Sequence, residues 1–380
     1  MRILVVSPYG RFGGYSGPAV FMRRLFSELS RAHEVAILTA KDAAPPEGYP
    51  WAESTILVAR NRELGGARQL AWSIRVSLWL LFRASRFDLV HFHGAFLFNL
   101  LPALALRPRH VPYAVLPVGP ADLSSESRLA RIPLLAAIRR RIIASASFGF
   151  AISSTIRTQF HVLGLTQVRV HSLGNAVDLD SLRASTPGPT GPRAQGRTLL
   201  FVGKLGPLKR PTLILEAVQK LRAQGFDADA RFLGPFESSA YEREFRERVA
   251  ELGVAKYVTT HGHVPAVEPF LVMEDSSLFV LPSAQEGLPG ALVEALAAGL
   301  PCAVTRIGSM ADVVLAADAG RVIEPDASEI ASFAIDAWTQ PERWERWSER
   351  GARYAREHYS SQAVAAQYLK AILDVPVEEH

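Results

Sequence analysis

The feature that most constrains this chain is an alternation of short apolar runs with longer helical patterns, which occurs in two separate series. The first series contains RILVVS, EVAILTA, TILVAR, FDLVHFH and PYAVLPV, and the second contains TLLFVGK, DARFLGP, VTTHGHV, SSLFVLPS and PCAVTRI. Strands that alternate with helices form parallel sheets with helices on both faces. The sequence therefore predicts an α/β fold.

A change in composition separates the two series. The stretch ASTPGPTGPRAQGR is rich in Pro and Gly and has no periodicity, which is typical of a linker. A chain of 380 residues also exceeds what one hydrophobic core usually organises. We predict two Rossmann-like domains, over residues 1–182 and 198–357, a linker over 183–197, and a final helix at about 358–380 that completes the first domain.

Charge is distributed unevenly between the two halves. Residues 1–180 carry 21 Lys and Arg against 11 Asp and Glu, a net +10, whereas residues 181–380 carry 21 against 26, a net −5. The basic half has no nucleic-acid motif, so nucleic acid is not an expected partner. Anionic lipid head groups or a phosphorylated acceptor suit the basic half better.

Two features predict a cytoplasmic location. Cys302 is the only cysteine, so no intrachain disulfide forms, and the apolar run at the N-terminus is too short for a signal peptide. The segment 68–87 contains Trp72 and Trp79 but also four arginines, so it does not predict a spanning helix. Two readings stay open for it: a core-facing helix with a solvated basic side, or a helix that lies peripherally on the inner face of the cytoplasmic membrane.

The segment PSAQEGLPGALVEALAAGLP, residues 282–301, is the strongest local signal of chemistry. It joins a strand end to a loop and then to a helix, with Pro289 where a first helical turn accepts it and Gly299 where the helix stops. A helix start binds phosphate through free N–H groups and its positive dipole end. Glu286 and Glu294 stand at two levels of such a site and can accept hydrogen bonds from sugar hydroxyls.

This arrangement resembles the E-x7-E motif of the retaining glycosyltransferases of family 4, which have the GT-B fold of two Rossmann-like domains facing each other across a cleft. The resemblance extends along nearly the whole chain. It implies that Glu286 contacts the donor sugar and that Glu294 holds the nucleotide ribose. It also places Leu288, Pro289 and Gly290 in the donor-binding loop, with Pro289 where many members have a second glycine.

A second match is FVGKLGPLKRP, residues 201–211. The family pattern has Gly-Arg-Leu here and a lysine five residues after the arginine, and the two cations grip the donor diphosphate. This chain has Gly203, then Lys204 in the arginine position, and Lys209 at the lysine position. Lysine keeps the charge but lacks the bidentate geometry of arginine. Arg210 replaces the usual following glycine.

Two segments of the first domain also match the family. His91 and His93 alternate along a strand and so share one face of the sheet. The resemblance assigns His93 to the active site and leaves His91 structural. The loop SPYGRFGGYSGPAV lacks the G-x-G-x-x-G spacing of a dinucleotide site and resembles the family's glycine-rich acceptor and phosphate loop, with Gly14 and Gly17 as the residues expected to approach a ligand.

Taken with the resemblance, these residues predict a metal-independent, retaining hexosyltransferase that uses a UDP- or GDP-linked sugar and a saccharide or lipid-linked acceptor, in cell-envelope polysaccharide or glycolipid synthesis. No metal or other cofactor is expected, because no third ligand accompanies the two histidines at a recognisable spacing. A non-catalytic nucleotide- or sugar-binding protein on the same scaffold is the alternative, since fold alone does not secure activity. An NAD-dependent dehydrogenase lacks its glycine fingerprint here.

Overall fold

A computed structural model describes residues 1–7, 17–40, 55–59, 66–123, 132–179, 197–262, 272–273 and 275–374 of the chain. The chain divides into two compact units. Unit 1 comprises Met1–Ala176 with Ser361–His380, and unit 2 comprises Val177–Ser360. Residues 183–196 of the predicted linker lie outside the described part of the chain.

Unit 1 is built on a parallel sheet of seven strands in the order β3-β2-β1-β4-β5-β6-β7. The strands are β1 Arg2–Val6, β2 Glu34–Ala40, β3 Thr55–Ala59, β4 Leu89–His93, β5 Tyr113–Leu116, β6 Phe148–Ala151 and β7 Val170–Ser172. The helices are α1 Gly17–Leu29, α2 Gly66–Arg83, α3 Leu97–Leu100, α4 Pro120–Leu123, α5 Pro133–Ala144 and α6 Ser154–Val162, with 3₁₀ segments at Ala84–Arg86 and Leu101–Arg109.

Strand alternation divides the core of unit 1 between the two faces of its sheet. Ile3 and Val5 of β1 pack on the face covered by α1, whereas Leu4 and Val6 pack on the face covered by α2. Both faces are apolar because both are covered by helices, as in other parallel sheets. The α2 helix is therefore core-facing, which is one of the two readings that its sequence left open.

Unit 2 contains a parallel sheet of six strands in the order β10-β9-β8-β11-β12-β13. The strands are β8 Thr198–Val202, β9 Asp229–Leu233, β10 Val258–Thr260, β11 Leu278–Leu281, β12 Cys302–Thr305 and β13 Gly320–Ile323. The helices are α7 Thr212–Ala223, α8 Ser239–Glu251, α9 Gly290–Ala297, α10 Met310–Ala317, α11 Ala327–Thr339 and α12 Pro341–Tyr359. The two sheets confirm the predicted α/β fold.

Two tryptophans attach α11 and α12 to the amino end of β11. The indole N–H of Trp338 donates to Ser277 Oγ at 3.0 Å, and that of Trp344 donates to the carbonyl oxygen of Ser277 at 2.8 Å. Buried indoles need such partners, because an unpaired buried N–H costs free energy. These bonds fix the two helices against the sheet in unit 2.

The C-terminal region contains two helices, and the second corresponds to the final helix predicted at about 358–380. The first, α12, ends at Tyr359, and α13, Ser361–Leu373, belongs to unit 1. Ser360 between them has an extended ψ of 150°. In unit 1, α13 packs on α1, and Tyr368 is buried against Phe26 and His91. The last helix thus contributes to the core around β4.

Candidate functional site

Charged residues lie in the loops that follow β8, β11 and β12 of unit 2. In a parallel sheet the carboxyl ends of neighbouring strands meet at one edge, where such folds bind ligands. Here the loop after β8 brings Lys209 to the loop after β11, and the Lys209 ammonium forms an ion pair with Glu286. Two residues 77 positions apart in sequence thus form one charged pair.

Glu286 is held more firmly than a loop carboxylate usually is. Its side chain is 9% exposed, against 26% for the side chain of Lys209. Ser283 Oγ donates to Glu286 Oε1 at 3.0 Å, and Thr305 Oγ1 donates to the Ser283 carbonyl oxygen at 2.6 Å. Ser283 and Thr305 were not singled out in the sequence, and together they connect Glu286 to the end of β12.

The loop after β8 presents its two lysines differently. Gly203 begins it with a φ of 152°, Lys204 is exposed, and Lys209 ends a short 3₁₀ turn, Pro207–Lys209. The amide of Ala284 donates to the Leu208 carbonyl oxygen at 2.7 Å, so this loop is bonded directly to the loop that carries Glu286. Lys209 thus belongs to the bonded part of the site, whereas Lys204 projects towards solvent.

Arg210 stands where the family pattern has glycine, and its backbone conformation is one that glycine favours. Its φ of 50° is left-handed, a conformation that favours glycine, which is the residue common at this position in the family. An L side chain in this conformation costs roughly 1–2 kcal/mol. The backbone of the loop therefore keeps the shape that glycine permits, although arginine occupies the position.

The α9 helix begins at Gly290, with Pro289 at the N-cap. The sequence had placed Pro289 in the first turn, so the helix begins slightly later than predicted. Glu294 lies in α9 and is half-buried, whereas the side chain of Leu288 is buried in the core of unit 2. Leu288 therefore contributes packing through its side chain. Its backbone, together with Pro289, Gly290 and Glu294, stays a predicted part of the donor-binding loop.

Gly308 packs against the backbone of the loop that carries Glu286. Its φ is 58°, and a Cβ added there would lie 2.5 Å from the Glu286 carbonyl oxygen and 2.2 Å from that of Gly287. The amide of Ser309 donates to the Gly287 carbonyl oxygen at 2.9 Å. Only glycine allows this approach, so Gly308 fixes the backbone that carries Glu286.

In unit 1, His91 and His93 lie at the carboxyl end of β4 and point to the same face, as strand alternation predicts. His93 stacks on Phe21 of α1 with ring centroids 6.0 Å apart. His91 is fully buried, and its Nδ1 lies 3.2 Å from the hydroxyl of Tyr368. Burial, together with the charge of His93 when protonated, lowers the pKa of His91 well below its usual value. His91 is thus a neutral core residue near neutral pH.

Asp122 holds the backbone just after His93. Its Oδ2 accepts from the amides of Ala95 at 3.1 Å and Val118 at 3.0 Å, so one carboxylate ties the loops after β4 and β5 together. Burial raises the pKa of Asp122, an effect opposed by the two amides and by Arg139. No local pattern predicts this role, because Asp122 is 27 residues from Ala95.

The glycine-rich loop is described only at its end. Gly14 lies outside the described residues, and Gly17 is the first residue of α1. A Cβ at Gly17 would have no heavy atom within 4 Å. Packing among the described residues therefore does not demand glycine at this position.

The described residues contain neither a metal-binding cluster nor a helix that could span a membrane. No group of three or more His, Cys, Asp or Glu side chains is arranged to hold a metal ion within the described ranges. In the same part of the chain, every helix falls short of the length and apolar character needed to cross a bilayer.

Both halves of the chain match known protein families. Residues 16–176 match the family described as "Glycosyl transferase 4-like domain", and residues 185–354 match "Glycosyl transferases group 1". The chain is 27% identical over 244 residues to the MMP alpha-(1->4)-mannosyltransferase of Mycolicibacterium hassiacum, an alignment that covers 63% of this chain and 56% of that protein. It is 26% identical over 195 residues to the putative colanic acid biosynthesis glycosyltransferase WcaL of Escherichia coli K12, covering 50% of this chain and 47% of that protein. The chain thus spans about half the length of these relatives.

Among solved structures, Anabaena Alr3699/HepE in complex with UDP is similar with a TM-score of 0.80 at 17% identity, covering 98% of this chain and 100% of that one. The fold and the matched residues define a member of the glycosyltransferases with the GT-B fold. Within that class, the chain belongs to family 4, the glycosyl transferases group 1.

Proposed function

We propose that this protein is a retaining, metal-independent hexosyltransferase. It moves a hexose from a UDP- or GDP-linked sugar to a saccharide or lipid-linked acceptor, in the synthesis of cell-envelope polysaccharide or glycolipid, at the inner face of the cytoplasmic membrane. The observation that carries this proposal is the Lys209–Glu286 pair at the carboxyl edge of the sheet of unit 2, beside the start of α9.

The arrangement supports separate roles for charge and for hydrogen bonding. Lys209, Lys204 and the N-terminus of α9 neutralise the donor diphosphate, and Glu286 and Glu294 accept hydrogen bonds from the sugar and the ribose. When donor binds, Lys209 exchanges part of its contact with Glu286 for the phosphate, which leaves the Glu286 oxygens available to hydroxyl groups. Names of similar proteins agree with such a donor: Alr3699/HepE has been solved with UDP-glucose, and one relative is a mannosyltransferase.

In the proposed reaction, the acceptor oxygen attacks the anomeric carbon on the face from which the diphosphate leaves. The bond from that carbon to the phosphate oxygen breaks, and the departing phosphate oxygen takes the acceptor proton. Negative charge grows on the diphosphate as the sugar gains oxocarbenium character, so cations already in place lower the barrier. His93 is assigned to the acceptor side of this reaction.

Incubation with a panel of labelled nucleotide sugars tests the proposal, scored for slow release of free sugar. Release from a UDP- or GDP-linked hexose without added metal, and lost in Glu286→Ala, is the expected result. Binding without turnover for every donor and acceptor would favour the non-catalytic alternative. NMR of the glycoside product should show the donor's anomeric configuration, and an inverted product would reject the mechanism.

A further inference from the structure

The outward face of α2 is apolar, which is unusual for a helix on a protein surface. Leu70, Ile74, Leu78 and Phe82 are 47%, 51%, 53% and 69% exposed. Each step of four residues turns a helix by about 40°, so the four side chains cover an arc of about 120°. We call these four residues the α2 stripe.

The stripe is additional to the face that packs on the sheet. Trp72, Val76 and Leu80 are each 3% exposed or less. Each of them follows a stripe residue by two positions and therefore lies about 200° around the helix from it. The α2 helix is therefore apolar on two sides, and only one of these is covered by the core of unit 1. The exposed side of α2 therefore carries apolar residues as well as the arginines Arg75 and Arg83.

Positive charge surrounds the stripe. Between Glu63 and Asp122 the sequence contains six arginines and a single acidic residue, Asp88. Asp88 already binds Arg2, whose amide donates to Asp88 Oδ2 at 2.7 Å. Arg75 and Arg86 are exposed, and the Arg83 guanidinium lies 5.8 Å from the ring centroid of Trp79.

The neighbouring 3₁₀ segment Leu101–Arg109 packs against α2 and continues the same character. It carries Leu104, which is 41% exposed, and the exposed arginines Arg107 and Arg109. An exposed apolar patch of this kind marks an interaction site. An apolar face bordered by arginines matches a helix that lies in the plane of a membrane interface.

We propose that the α2 stripe and the arginines around it form the surface by which this protein docks on an anionic lipid bilayer. The four stripe side chains enter the boundary between head groups and acyl chains, and Arg75, Arg83 and Arg86 contact anionic head groups. Charge favours a bilayer over a second copy of the chain, because a self-complementary interface brings like-charged arginines together, and the carboxylate of Asp88 is already bound to Arg2.

This surface extends the peripheral placement proposed above, but its test needs no enzyme activity. The full chain is sedimented with vesicles of phosphatidylcholine that contain 30% phosphatidylglycerol, and with vesicles of phosphatidylcholine alone. Binding to the anionic vesicles that weakens with added salt is expected. Equal binding to both kinds of vesicle, or to neither, would overturn the proposal, as would a dimer in solution that Ile74→Glu dissociates.

Two sets of variants locate the surface. The double variant Ile74→Glu, Leu78→Glu should lose vesicle binding, while Val162→Glu, at a 79% exposed position on α6 of the same unit, should bind like the parent protein. An engaged basic residue contributes about 1 kcal/mol near an anionic surface, so Arg75→Gln with Arg86→Gln should weaken partitioning roughly 30-fold.

The matched charge control is Arg243→Gln with Arg246→Gln, on the exposed side of α8 in unit 2. This control should change partitioning by less than about twofold. Circular dichroism and thermal unfolding establish that every variant is folded. Unchanged binding by the stripe variant, or equal weakening by the two arginine pairs, would reject this surface. Donor hydrolysis in the absence of vesicles should be the same in all variants, so a failure of docking is distinguishable from a failure of the proposed chemistry.

Discussion

The carboxyl ends of the two sheets carry different kinds of residues. In unit 2, the loops after β8 and β11 present a lysine–carboxylate pair, which a charged ligand can rearrange. In unit 1, β4 ends in two histidines buried among aromatic rings of α1 and α13. The same βα framework thus presents a charged pair at strand ends of one unit and two histidines packed among aromatic rings at a strand end of the other.

The difference comes from what covers each strand end. The Glu286 loop is shaped by backbone contacts and by the hydroxyls of Ser283 and Thr305, and its carboxylate is paired with Lys209. The end of β4 is instead enclosed by side chains, and Asp122 holds the loop that follows. Substitutions in unit 2 should therefore affect turnover most, whereas those around β4 should affect stability and its pH dependence.

The largest expected effect comes from Lys209→Ala. Loss of a preorganised group that stabilises transition-state charge lowers kcat by about 100- to 1,000-fold. Lys204→Ala should have a smaller effect, because Lys204 is exposed and its charge is screened by water and salt. Single-turnover kinetics with saturating donor measures both. Equal losses of kcat in the two variants would show that the ion pair with Glu286 does not make Lys209 more important for turnover than Lys204.

Gly308→Ala should destabilise unit 2 and displace Glu286. The added methyl group meets two carbonyl oxygens and the backbone must also keep a positive φ, so a loss of roughly 3 kcal/mol or more is expected. Gly253→Ala is the control, because Gly253 also has a positive φ, 68°, but has no heavy atom within 4 Å of an added Cβ. It should cost about 1–2 kcal/mol. Urea unfolding measures both, and equal losses would contradict the close approach.

His91→Phe should change the pH dependence of stability. The pKa of His91 is lowered in the folded protein, so the unfolded chain binds more protons below about pH 6.5. The unfolding free energy of the parent protein should therefore be steady above that pH and fall as the pH drops below it. His91→Phe removes the contribution of His91 to this fall and costs about 1 kcal/mol for the lost contact with Tyr368.

Unfolding curves between pH 5 and pH 8 measure this effect. The pKa of His171 is also lowered, mainly by burial, so part of the fall should remain in His91→Phe. The pH profile of turnover should be unchanged, since His91 is neutral throughout the working range. A shifted turnover profile in His91→Phe would show that this histidine, and not only His93, takes part in the reaction.

Gly17→Ala should have the smallest effect on stability, within about 1 kcal/mol of the parent protein, because an added Cβ meets no protein atom. If Gly17 lets the backbone approach a ligand, KM for donor or acceptor should rise a few-fold while the Tm stays unchanged. Steady-state kinetics together with a thermal melt separates these quantities. An unchanged KM would show that Gly17 does not let the backbone approach the donor or the acceptor.

Much of the fold could be predicted from the sequence, because buried parallel strands consist of nearly continuous apolar runs. The strands β1, β4 and β8 follow directly from RILVVS, FDLVHFH and TLLFVGK. The strands β7 and β13 gave no such signal, since they lie at sheet edges and are largely half-buried or exposed. The break at Ser360 lies close to residue 358, where the sequence predicts the final helix to begin.

For the site, the sequence by itself determined which residue types stand at strand ends and helix starts, and with them the family. Resemblance to the family patterns in two segments, residues 282–301 and residues 201–211, selected Glu286 and Glu294 in the first and Lys204 and Lys209 in the second. Only the tertiary structure decided that Lys209 and Glu286 are paired, that Leu288 is buried, and that Ser283, Gly308 and Asp122 fix the loops. These contacts join residues far apart in the chain, and local sequence patterns contain no information on which distant loops meet.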